Sequence, residues 1–114
     1  VFRDDKQKCE AIRCLLLPSG IDHLWTETGP TDAALDLLSK AGGYLSGGQS
    51  RMLRVAFDVW NGDGRATLSE IIGGLDSRNL QNIALLMLAV DGATAGDASS
   101  IDYWIMRRRD GGNG

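Results

Sequence analysis

The sequence predicts an all-α fold, a compact bundle of about five helices plus short helical turns. Three observations predict it. Two stretches, Gln49–Trp60 and Arg78–Val90, carry apolar residues at helical spacing over more than one face. Proline is scarce at two residues, and Val, Ile and Thr are sparse beside Leu and Ala, which favours helix over sheet. The fifteen glycines gather in pairs at expected helix ends, Gly42-Gly43, Gly47-Gly48, Gly73-Gly74 and Gly111-Gly112.

Taken in order, Asp4–Leu17 reads as the first helix. Asp4 and Asp5 suit its positive start, and Cys9, Ala11, Ile12, Leu15 and Leu16 form its apolar face. Pro18-Ser19-Gly20 ends it, and Ser19 is expected to cap a single turn over Ile21–Trp25. Glu27–Pro30 reads as a loop. Thr31 or Asp32 opens a helix through Lys40 with Ala34, Leu35, Leu37 and Leu38 inward and Gly42 as its left-handed stop.

Ser46 caps the helix Gln49–Trp60, in which Arg51, Arg54 and Asp58 make a narrow polar stripe, and Asn61-Gly62 ends it. Trp60 is expected to wedge between this helix and Arg78–Val90. Thr67-x-x-Glu70 matches a capping box opening the short helix Leu68–Leu75, whose buried side is Ile71, Ile72 and Leu75. Asp76 or Ser77 caps the next helix. Every residue from Ile83 to Val90 is apolar, so this segment is expected to be the central helix, covered on all faces until Gly92 stops it. It is too short for a membrane span, which takes about 20 apolar residues. Ser99-x-x-Asp102 is a second capping box, and Ile101, Trp104 and Ile105 face inward on the last helix.

The length predicts one domain over residues 1–110 with a disordered tail at 111–114. An apolar fraction of 43% supports a single core. A formal charge of −3 offers no long-range attraction to nucleic acid or an anionic membrane. Arg107-Arg108-Arg109 answer the negative end of the last helix. Two cysteines, Cys9 and Cys14, are too few for a disulfide framework and read as reduced apolar fillers. With no signal peptide in the charged first ten residues, a cytoplasmic location is expected.

Two short strings carry resemblances. Leu45-Ser46-Gly47-Gly48-Gln49 resembles the signature of ABC-type ATPases, which touches a nucleotide phosphate from a helix start. That family's phosphate loop is absent here, so the string reads as a capped helix start. Asn61-x-Asp63-Gly64-x-x-Thr67-x-x-Glu70 resembles the EF-hand calcium loop. The resemblance puts an EF-hand-like helix–loop–helix at the centre of the bundle. It implies calcium ligands at Asn61, Asp63, Arg65 through its carbonyl, Thr67 and Glu70, with Gly64 at the bend. The first ligand position holds Val59, and the carboxylate Asp58 stands one residue early, so a degenerate turn without an ion is the alternative.

The string Ala56–Leu68 with Leu75-Asp76-x-x-Asn79-Leu80 also resembles a pattern of small uncharacterised bacterial proteins, and that resemblance implies no activity. The expectation for function is a non-enzymatic helical interaction or regulatory protein. Its partner is another protein or a second copy meeting Leu85, Leu86, Ala89 and Val90, with no nucleic acid and no membrane. A calcium-binding module without other cofactors is one alternative. An enzyme with a scattered site around His23, the one histidine, is the other.

Overall fold

The computed structural model describes residues 1–111. Six α-helices carry the described fold: α1 (Asp5–Leu16), α2 (Asp32–Ser39), α3 (Gly47–Asn61), α4 (Leu68–Gly74), α5 (Ser77–Thr94) and α6 (Ser100–Gly111). The all-α bundle expected from the sequence is therefore present. Gly111, expected to begin the tail, closes α6, and 112–114 of the expected tail lie outside the described residues.

Caps set the helix starts. Asp4, Thr31, Ser46, Thr67 and Asp76 each accept a backbone N–H from the first turn of the helix that follows. Ser46 with Gln49 and Thr67 with Glu70 close reciprocal capping boxes. Ser99 and Asp102, expected to form another box, have other partners: Ser99 Oγ donates to Asp97 Oδ1 at 2.7 Å. Asp102 instead accepts from Arg3 Nη1 at 2.9 Å and from Gln7 Nε2 at 3.0 Å, and these bonds hold its carboxyl below the usual range. They tie the last helix to the start of the first.

The central helix is α1, which packs against α3, α5 and α6. Cys9, Ala11, Ile12, Leu15 and Leu16 are fully covered, and Cys14 is 3% exposed. Both cysteines are free, and burial raises the Cys14 thiol to about 11. The expectation that α5 is the central helix, wrapped on every side, is corrected. Ile83, Leu86 and Ala89 are buried, but Met87 is 61% and Leu88 65% exposed. α5 lies at the side of the bundle with one face to solvent. Its inner face is also pinned by polar groups: buried Asn82 donates to the Cys14 carbonyl at 3.0 Å, and Ser19 Oγ donates to Asn79 Oδ1 at 3.1 Å.

Between α1 and α2 the chain makes two 3-10 turns, Leu17–Ser19 and Asp22–Leu24. A two-residue antiparallel ladder follows, β1 (Trp25–Thr26) on β2 (Gly29–Pro30), where a plain loop was expected. Ser19 does not cap the second turn, because its hydroxyl is engaged by Asn79. The ladder delivers Trp25 into the core, where its ring meets Phe57 edge-on at 5.0 Å and Trp60 at 6.0 Å. Trp60 thus packs on the β1–β2 ladder and under Lys8, whose ammonium lies 5.6 Å from its ring. The wedge expected between α3 and α5 is not its place: its ring meets Trp25, Lys8 and the backbone at Gly29.

Three smaller expectations are corrected. Leu35 is 49% and Ile72 63% exposed, where both were expected inward. Gly92 does not stop α5, which runs on to Thr94. A Cβ at Gly92 would lie 2.6 Å from Ser100 Oγ, so this glycine makes room for α6, whose Ser100 donates to the Ala89 carbonyl at 2.8 Å.

Candidate functional site

The polar stripe of α3 organises the turn from residue 58 to residue 70. At the helix end Gly62 takes a left-handed φ of +84°, and its N–H donates to the carbonyls of Phe57 and Asp58. Asn61 Oδ1 accepts the Asp63 N–H at 3.0 Å, a local turn that side chains of this type favour. Gly64 then passes directly over the helix. It is buried, and a Cβ there would sit 1.7 Å from the Arg54 carbonyl oxygen. Arg65 adopts a φ of +57°, uncommon for a residue with a side chain. Asp58 accounts for that shape: its two carboxylate oxygens accept the backbone N–H groups of Arg65 and Ala66, both at 2.9 Å.

Arg54 closes the turn from the next level of the helix. Its guanidinium pairs with Glu70 through two nitrogens and lies 3.4 Å from the Arg65 carbonyl. Glu70 also completes the capping box with Thr67. Of the five residues expected to hold calcium, Glu70 and the Arg65 carbonyl face an arginine of the same chain. Asn61 and Thr67 are spent on local backbone, and Asp63 is exposed. Arg54 thus sets a positive charge against two of those five positions, Glu70 and the Arg65 carbonyl. Among the described residues, no three His, Cys, Asp or Glu side chains group closely enough to hold a metal ion.

The pairing of Arg54 with Glu70 is what sequence reasoning missed. Arg54 and Asp58 stand four apart on one face, so both reach the same turn. The signal present in the chain was a cation on the same helix face as Asp58, ahead of the turn that leads to Glu70. Arg51 completes the stripe, donating from Nη1 to the Gly74 carbonyl at 3.0 Å at the far end of α4.

The other expected sites separate. His23 is exposed on the second 3-10 turn and lines none of the four clefts described. Ser46 and Gln49, in the ABC-like string, bond each other's backbone, and Gln49 Nε2 donates to the Ser19 carbonyl at 3.0 Å. The three arginines of α6 part company: Arg107 reaches the Tyr103 hydroxyl, Arg109 lies 3.8 Å from Glu10, and Arg108 is half-buried.

A different feature stands out on the surface. Phe2, Val59, Leu86, Met87 and Val90 line an open cleft of about 510 Å³, with Asp91 and Thr94 among its few polar groups. Met87 forms one wall, and the exposed Leu88 follows it on α5. Among the described residues no helix is long and apolar enough to cross a membrane. Compared with known proteins, the chain matches no family model, no curated protein and no solved structure.

Proposed function

We propose that this protein works by contact, as a helical interaction or regulatory protein with no chemistry of its own. The apolar cleft beside α5 is the observation that carries the reading. Leaving Met87 and Leu88 in water forgoes the burial of two large side chains, each of which is worth about 1.5–3 kcal/mol when fully covered. A partner that presents an apolar face recovers that energy. The proposed contact face is shifted from the one expected from the sequence. Ala89 belongs to the core and Leu85 is half-buried, whereas Leu86 and Val90 still line the cleft, so a second copy would meet them together with Met87 and the neighbouring Leu88. A bacterial, cytoplasmic setting is part of the proposal, supported by the sequence pattern and by two free cysteines.

Photo-crosslinking from position 88 tests it, with the exposed Glu27 position as the comparison. One discrete adduct is expected from position 88 in an extract of the source cells, lost when Met87→Glu is added. The adduct's mass distinguishes a second copy from another protein. No adduct, or the same adducts from both positions, overturns the reading.

A further inference from the structure

We propose that α4, with the turn leading into it, is a latched strap that opens on its own while the other helices stay packed. α4 is the one α-helix described that buries no residue. Ile71 and Leu75 are half-buried, and Leu68 and Ile72 are 68% and 63% exposed. Seven residues are too few for a helix to persist without tertiary support, and its last two, Gly73 and Gly74, are poor helix formers.

Two arginines of α3 supply much of that support. Arg54 holds Glu70 and the Arg65 carbonyl at the front of the strap, and Arg51 holds the Gly74 carbonyl at its rear. A Cβ at Gly74 would come within 2.9 Å of Arg51 Nε, so the glycine lets the guanidinium reach the backbone. The latch is polar and partly exposed, at 27% for Arg54 and 33% for Glu70, so water and salt compete with it directly. Opening uncovers no deeply buried apolar side chain of α4, which places the strap at the low end of local unfolding energies.

The strap also controls a surface. Leu38, Leu45 and Leu53 line a cleft of about 320 Å³ together with Arg51, Arg54 and Glu70. When α4 lifts, Glu70 leaves that wall, and both arginines lose the partners that α4 provides.

Amide hydrogen exchange on the full chain tests the proposal. Amides in the second half of α4 are expected to exchange at least about tenfold faster than those of Cys9–Leu16 in α1, as separate opening requires. Arg54→Gln, or 1 M salt, is expected to speed α4 about fivefold further while leaving α1 unchanged. Arg51→Gln gives an independent reading of the rear latch. If α4 exchanges at the rate of α1, or if these changes speed all helices in parallel, the strap is part of one cooperative unit and the proposal fails.

Discussion

Trp25→Ala is expected to cost about 3–5 kcal/mol, the range for truncating a large buried aromatic. A domain of this size holds about 5–15 kcal/mol in total, so the variant keeps little cooperative structure. The indole is 2% exposed and lies edge-on to both Phe57 and Trp60. Its removal leaves a cavity that neither the short β1–β2 ladder nor the rigid α3 can collapse to fill. Trp60→Ala is expected to cost less than half as much, because that side chain is half-buried. Urea unfolding of the two variants beside the parent checks the order. A larger loss from Trp60→Ala would place the keystone of the packing wrongly.

Gly64→Ala is expected to cost about 1–3 kcal/mol or more through overpacking. The added methyl group would meet the Arg54 backbone carbonyl at 1.7 Å and the Asp58 carboxyl carbon at 2.9 Å. Backbone cannot swing aside as a side chain can, so the turn must lift. Lifting breaks both bonds that the Arg65 and Ala66 amides donate to Asp58 and pulls Glu70 from Arg54. Limited proteolysis is expected to cut the variant between α3 and α4 well before the parent. Gly48→Ala is the control, since nothing lies within 4 Å of its Cβ position, and it is expected to leave stability unchanged or slightly raised. Equal cleavage of all three proteins would contradict the tight passage over α3.

The local features were legible and the long-range ones were not. Ser46, Thr67 and Asp76 could be read as caps because a cap needs only the next three residues. The apolar run Ile83–Val90 could be read as helix but not as centre. Much of a folded surface is apolar, so a greasy helix does not have to be enclosed. α1 was the reverse case: its face of Cys9, Ile12, Leu15 and Leu16 could be read, but its charged residues gave no sign that this helix is the centre and that face completely covered. The Arg54–Glu70 pair lies sixteen residues apart, and only the path of the chain over Gly64 brings it together. The EF-hand-like string shows which oxygens the turn gathers, but not that a cation of the helix before it, Arg54, meets Glu70 and the Arg65 carbonyl.

Calorimetric titration of the purified protein with calcium chloride tests most directly whether Arg54 supplies the charge of the 58–70 turn. The account predicts no saturable heat up to millimolar ion, and amide signals of residues 58–70 that do not move. Saturable binding that Asp63→Ala and Glu70→Gln both abolish would contradict it and make this turn a calcium site.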